Sequence, residues 1–312
     1  MKRTLPIFAV LLVLLAAIAL ANPFFLEPAG FLAFVKRAAP LVILAAGQYF
    51  VIVSGEFDLS VGSLVTAEVV IAARLIDGNE AATWPVLVLL IGFGLLVGLV
   101  NGVVTTLLRV PSFITTLGML LILTGAVFLW TGGAPRGALS QEFRVFGRDT
   151  LWAVLILLAV GVAAVLLTRA DFGRTLIATG DNERAAALSG VRVNGVRILA
   201  FVISGLAAAV AGILLGGFAG VSAQVGQGLE FSAITAVVLG GVVLGGGRGS
   251  VVAAMAGAFT LEALFTLLNL YGISGALEFT VQGVIIIAAV AAGAVRLPWK
   301  FTPRKGDAHV AS

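Results

Sequence analysis

Apolar runs of bilayer-crossing length recur along this chain, separated by short polar breaks, and that pattern leaves few folds open. The runs cover residues 5–21, 39–54, 60–76, 84–108, 112–130, 151–168, 196–218, 231–244, 251–270 and 279–295. A helical crossing takes about 20 apolar residues, with about 17 as the lower limit, so several of these runs are short. Only 11% of the residues are charged and 60% are hydrophobic, against about 25% charged in an ordinary soluble domain. Such a chain cannot cover its surface with polar groups, so its solvent is lipid. In hydrocarbon each backbone N–H and C=O must be satisfied inside the protein, which a helix does within its own segment. The expectation is an all-α, polytopic integral membrane protein of about ten transmembrane helices, one membrane domain over residues 1–312.

Composition removes several functions. With no Cys, neither a disulfide nor a thiolate metal site can form, and the sole His, His309, lies in a polar tail. A catalytic triad or a histidine metal centre is therefore excluded, and no cofactor site is expected. The pI of about 10.0 could point to nucleic acid, but the basic residues flank apolar runs, where they set topology. The 39 glycines suit close helix packing and broken helices.

Charge gives an orientation. With Met1 inside, one side holds Lys2, Arg3, Arg109, Arg169, Arg174, Arg184, Arg192, Arg197, Arg248, Arg296, Lys300, Arg304 and Lys305. The other holds Lys36, Arg37, Arg74, Arg136, Arg144 and Arg148, a split of 13 against 6. The positive-inside rule then places both ends in the cytoplasm. Met1-Lys2-Arg3 before the run 5–21 resembles a signal peptide, but without a clear cleavage pattern it reads as an uncleaved first helix. Trp84, Trp130, Trp152 and Trp299 fall near span ends, as an interfacial belt requires.

Two breaks interrupt the apolar pattern. In Ser54-Gly55-Glu56-Phe57-Asp58-Leu59-Ser60-Val61-Gly62-Ser63, two carboxylates sit between short apolar stretches. Each would cost about 2.5–3.5 kcal/mol in the membrane centre on the insertion scale. Either a discontinuous helix pair lines a translocation path here, or the segment is a tight surface turn whose Ser60 caps the next helix. The second break runs from Leu239 to Ser250, rich in glycine from Gly240-Gly241 to Gly249, and is likewise followed by Ser-Val and an apolar run. The recurrence is a faint internal repeat, as in transporters with pseudo-symmetric halves. Residues 245–250 are no phosphate loop, because Gly, not Lys, precedes the Ser. No nucleotide site occurs in the chain.

Polar residues also fall inside the runs: Gln48, Glu68, Asn101, Glu262, Asn269 and Gln282. The amides fit interhelical hydrogen bonds. Glu68 and Glu262 are dearer to bury, and Glu68 could pair with Arg74. Between two long runs lies the polar segment 169–197, carrying five arginines. In it Asp181 can cap a short helix from Asn182 to Ser189, stopped by Gly190. Glu183 in the first turn favours the helix dipole. At about two turns the helix needs a surface to dock on, and Ala185 and Leu188 offer a small apolar face. An ordinary loop with an incidental turn is the alternative.

Four motifs in order resemble the permease subunits of ribose-type (monosaccharide and autoinducer-2) ABC importers. Residues Gly55 to Ser63 are similar to that family's G-G-I-D-L-S-V-G-S, with Glu56 and Phe57 in place of the commonest Gly and Ile. Asn101-Gly102 and then Val110-Pro111-Ser112-Phe113-Ile114-Thr115-Thr116-Leu117-Gly118 resemble its N-G…P-x-F-I-x-T-L-G. Gly173-Arg174, Ala178 to Glu183, Ala185-Ala186 and Leu188-Ser189-Gly190-Val191 resemble its G-R…A-x-G-x-N-x-x-A-A-x-x-S-G-I loop. Ala236 to Gly241 with Gly246 to Ser250 resembles its A-V-V-L-G-G…G-G-R-G-S.

The resemblance implies a permease that imports a small sugar or polyol across the bacterial inner membrane. Asp181, Asn182, Glu183, Ala185, Ala186, Leu188, Ser189 and Gly190 would form the coupling helix, seated on a cytoplasmic ABC ATPase that holds ATP and Mg. The other implied partners are a second permease copy or homologue and a periplasmic or lipoprotein sugar-binding protein, with lipid around the whole. Gly55, Glu56, Phe57, Asp58, Ser60, Asn101, Phe113, Thr116, Gly240 and Gly241 are the candidate translocation path. The rival is a proton-coupled secondary transporter with Asp58, Glu68 or Glu262 as relay groups.

Overall fold

The computed structural model describes residues 5–273 and 275–294. Lys2, Arg3, Arg296, Lys300, Arg304, Lys305, Trp299 and His309 lie outside them. Thirteen α-helices, and no strand, occur among the described residues: α1 (Leu5–Ala21), α2 (Pro28–Val53), α3 (Val61–Ile76), α4 (Thr83–Thr106), α5 (Ser112–Thr131), α6 (Gln141–Arg148), α7 (Thr150–Arg169), α8 (Asp171–Asp181), α9 (Glu183–Leu188), α10 (Val193–Ala219), α11 (Leu229–Leu239), α12 (Val251–Leu270) and α13 (Gly275–Ala294). Six of these, α2, α4, α5, α7, α10 and α12, are long and apolar enough to cross a membrane. The chain is a multi-pass membrane protein.

Most boundaries follow the hydropathy closely, and the departures have local causes. α2 starts at Pro28 rather than at residue 39, because Lys36 and Arg37 are helical and partnered rather than in a loop. Lys36 Nζ donates to the Arg148 carbonyl at 2.9 Å, and Arg37 Nε lies 2.7 Å from Glu262 Oε1. Pro28 sits in the first turn, where its missing N–H costs nothing. α11 stops at Leu239 rather than at residue 244, since Gly241 adopts a φ of +80° and turns the chain out of the helix. The short helices α6 and α8 lie in stretches without apolar periodicity long enough to reveal them. α6 is pinned by Ser140, whose Oγ accepts from Phe143 N–H at 3.1 Å, and by burial of Phe143.

The bundle is organised around α10, which packs on α4, α2 and α3. Gly94, Gly98 and Gly102 recur every fourth residue on α4 and face Gly205, Phe201 and Ile198 of α10 in antiparallel order. A side chain at Gly98 would strike the Phe201 carbonyl and come within 2.9 Å of Val202 Cα. Small residues at this spacing let two backbones touch, which is how helices gain contact energy where lipid supplies no hydrophobic drive. Trp84, Trp130 and Trp152 are exposed at the start of α4, the end of α5 and the start of α7. All three lie at the end of the bundle away from α9.

Gly98→Leu is expected to overpack the α4–α10 seam by about 1–3 kcal/mol or more. Its thermal unfolding midpoint in detergent should fall clearly below wild type. Gly118→Ala, where nothing lies within 4 Å, should leave the midpoint unchanged.

Candidate functional site

α2 reaches the α9 end of the bundle at Val53, and there the chain doubles back. Gly55, at φ +89°, makes the turn, and residues 56–60 run without helix before α3 begins at Val61. The Gln48 amide, oriented by its partners, donates to the Asp58 carbonyl at 3.2 Å and accepts from Asp58 N–H at 3.3 Å. Gln48 stands five residues before the end of α2, so Asp58 lies about 7–8 Å inside that end, at 1.5 Å per residue. The first break thus dips into the bundle beside α2 rather than lying over its end. Such backbone is tolerated at depth only where protein covers it.

The Asp58 side chain is 2% exposed and fully engaged. Its Oδ1 accepts from Ser60 N–H at 3.0 Å and from Ser60 Oγ at 2.6 Å. Its Oδ2 accepts from Ser204 Oγ of α10 at 2.8 Å. Asn101 Nδ2 of α4 donates to Ser60 Oγ at 2.9 Å. Phe57 N–H donates to Ser112 Oγ at 3.1 Å, and Thr116 Oγ1, which donates to the Ser112 carbonyl at 2.8 Å, lies 3.4 Å from the Phe57 carbonyl. Phe57, Asp58, Ser60, Asn101 and Thr116 therefore converge, as one hydrogen-bonded lock joining the break to α4, α5 and α10. Ser60 does not cap α3 with its side chain, because its hydroxyl is committed to Asp58. Ser204 was missed: its only signal is one hydroxyl in an apolar run. Three other candidates stand apart from the lock. Phe113 is 55% exposed, Gly240 packs against the α12 backbone at Ala253 and Ala254, and Gly241 sits in the turn after α11.

A second cluster forms where the two breaks meet α8 and α9. Gly247 N–H of the second break donates to the Val53 carbonyl at 2.9 Å. Gly180 lies so close to that carbonyl that a side chain there would collide with it. Arg197 on α10 pairs with Glu56 of the first break at 3.1 Å and with Glu183 of α9 at 3.1 Å. Arg248 reaches Asp181 at 3.8 Å, both largely exposed. The cap of α9 is Asn182, not Asp181: Asn182 Oδ1 accepts from Ala185 N–H at 3.1 Å, while Asp181 closes α8. Gly190, at φ +86°, follows Ser189 past the end of the helix. Ala186 is the residue α9 buries, whereas Ala185 is exposed and Leu188 is 91% exposed.

Elsewhere, Glu262 pairs with Arg37, and Gln282 Nε2 donates to Ser232 Oγ at 3.0 Å. Asn269 Nδ2 donates to Glu278 Oε1 at 3.2 Å. The Glu68–Arg74 pairing does not form. Glu68 is fully buried against Gly94 and Gly212, and neither of its oxygens finds a hydrogen bond among the described residues.

Ser204→Ala would leave Asp58 Oδ2 buried without its donor, at a cost of about 1–3 kcal/mol. The expected result is a lower unfolding midpoint in detergent. Ser204→Thr, which keeps the hydroxyl, should recover part of the loss.

Comparison with known proteins agrees on one relationship. The family described as branched-chain amino acid transport system / permease component matches residues 30–290. The ribose import permease RbsC of Bacillus subtilis is 34% identical over 294 residues, covering 91% of this chain and 90% of that protein. The ribose import permease of Escherichia coli K12 is 33% identical, covering 90% of each. The autoinducer 2 import system permease LsrC of Escherichia coli O9:H4 is 35% identical over 261 residues, covering 82% of this chain and 76% of that protein. No solved structure gives a significant match.

Proposed function

Because the chain belongs to the branched-chain amino acid transport system / permease component family, it is an import permease, and we propose that its cargo is a small sugar or polyol. In this reading it is the membrane subunit of an ATP-driven importer, one membrane domain in the bacterial inner membrane. It works beside a second permease copy or homologue. A solute-binding protein delivers cargo, and a cytoplasmic ABC ATPase holds ATP and Mg. The chain itself carries no catalytic or cofactor-binding residue.

We read ten of the helices as membrane-crossing elements: the six long ones plus α1, α3, α11 and α13. The α2–break–α3 and α11–break–α12 units are then the corresponding parts of two pseudo-symmetric halves. Helix directions put the start of α1 and the end of α13 at the α9 end. With Arg109, Arg169, Arg174, Arg184, Arg192, Arg197 and Arg248 at or near that end, the positive-inside rule makes it cytoplasmic. The exposed tryptophans at the other end fit an outer interfacial belt.

The observation that carries the coupling assignment is the way α9 is mounted. A six-residue helix is too short to hold by itself. It is anchored inward through Ala186 and through the Glu183–Arg197–Glu56 ion pairs, yet presents Leu188 and Ala185 outward with nothing over them. Its ion pairs lead to the first break, and Asp181, at the end of α8 just before it, meets Arg248 of the second. A push on α9 from an ATPase would thus be felt by the segment that begins α3 and by the turn that begins α12. Alternating access needs a bistable interface, and the glycine-faced seam of α4 and α10 supplies sliding surfaces. The proton-relay alternative is not favoured: Asp58 is held by Ser60 and Ser204, Glu262 is paired with Arg37, and the relatives are import permeases.

Reconstitution with its ABC ATPase and solute-binding protein should give sugar uptake that requires ATP. Uptake by the chain alone, driven by a proton gradient, would refute the reading. Leu188→Asp changes an exposed side chain and should leave the fold intact while weakening ATPase co-purification by about tenfold, the effect of some 1.4 kcal/mol. Unchanged association for both Leu188→Asp and Glu183→Arg would remove α9 from the contact.

A further inference from the structure

α3 and α11 both begin inside the bundle, and their first turns touch. After α10 ends at Ala219, residues 220–228 return into the bundle from the end opposite α9 and deliver the start of α11 onto the first turn of α3. Gly226 N–H donates to Thr66 Oγ1 at 3.0 Å. The Glu230 carboxylate lies against Gly62, where any side chain would collide with it. The first break enters from the α9 end and residues 220–228 from the other, and the two helices that follow them meet between. In transporters built of discontinuous helices, such a meeting point is where substrate is held.

A cleft of about 240 Å³ opens there, lined by Ser63, Thr66, Thr124, Phe128, Gln227 and Glu230 among others. Glu230 is only 7% exposed, and none of the five ion pairs among the described residues involves it. Ser63 and Thr66 spend their own protons on the Ser60 and Gly62 carbonyls, at 2.8 and 3.2 Å. Ser63 therefore offers a lone pair to a ligand donor, and Glu230 is acceptor-only when ionised. Gln227 can donate or accept, and Phe128 supplies an apolar wall. No lysine or arginine lines the cleft.

We propose that this cleft is the cargo subsite within the permease, and that it selects a neutral, polyhydroxylated molecule over an amino acid. The proposal rests on the import reading above and adds the residues that would meet its cargo. Hydroxyl protons of a sugar meet the acceptors Glu230 and Ser63, and its oxygens meet the Gln227 amide. An amino acid would bring a carboxylate against the Glu230 charge with no cation to receive it. The volume lies below the roughly 300–1,000 Å³ of sites for drug-sized ligands, in keeping with a small cargo and few contacts. None of these six residues was among the path candidates drawn from the sequence.

Two measurements test it. The chain contains no cysteine, so single-cysteine variants report access directly. Thr124→Cys and Gln227→Cys should react with a charged, water-soluble thiol reagent, and D-ribose at high-millimolar concentration should slow that reaction severalfold while L-leucine does not. In the reconstituted importer, Glu230→Gln should lower the sugar moved per ATP hydrolysed by about tenfold with ATP hydrolysis itself retained. A merely structural loss would depress both. Thr124→Val, at a half-exposed position on α5, carries the same readout if Glu230→Gln does not fold. Wild-type uptake with unaltered sugar per ATP in the variants, and labelling indifferent to D-ribose, would overturn the subsite and leave the import reading standing. Failure of the wild-type importer to move any sugar would overturn both.

Discussion

Hydrocarbon offers no hydrogen-bond partner, and everything in this molecule follows from that constraint. Each backbone amide must be satisfied by the protein, so the chain is helical wherever lipid can reach it. Inside the bundle, a departure from helix is found where other helices cover it, as over residues 57–60. The re-entrant segment before α3 is the clearest case. Its backbone is bonded by the Gln48 amide and by the Ser112 hydroxyl, and its buried carboxylate is answered by Ser60 and Ser204. A carboxylate so enclosed is strongly destabilising if its partners are removed. The lock therefore holds the break in one register against α4, α5 and α10.

The same economy explains the glycines. Where α4 crosses α10, glycine is needed because backbone meets backbone, and at Gly62 because a carboxylate occupies the space a side chain would take. At Gly118 or Gly125 nothing is near, and glycine there serves no packing role among the described residues. A glycine-rich membrane sequence thus announces close contacts without saying which glycines make them.

Much of the helix layout was legible in the sequence. α1 and α12 begin and end where hydropathy alone puts them, and α3, α4, α5 and α7 agree within a few residues. The misses share one cause: partners distant in sequence. α2 extends back through Lys36 and Arg37 because Arg148 and Glu262, far along the chain, receive their charge. α11 is cut short because a glycine turn outranks the apolar residues after it. For α9 the sequence indicated a short helix, its dipole-favouring Glu183 and its stop at Gly190. It misplaced the cap, since Asp181 and Asn182 are equivalent capping residues until the direction of α8 is known. Of the path candidates, five converge as a lock, and Phe113, Gly240 and Gly241 do not join them.

By itself the sequence determined the solvent, the helical class and the family motifs, because these depend on composition and on runs of adjacent residues. Tertiary structure alone decided which polar groups meet. Ser204 with Asp58, Arg197 with Glu56, and Glu230 with the first turn of α3 are far apart in sequence. No periodicity links them, and they become neighbours only when α10 packs against the breaks. The re-entrant backbone and the cleft beside it belong to that second kind of information, since both exist only where two interrupted helices are brought end to end.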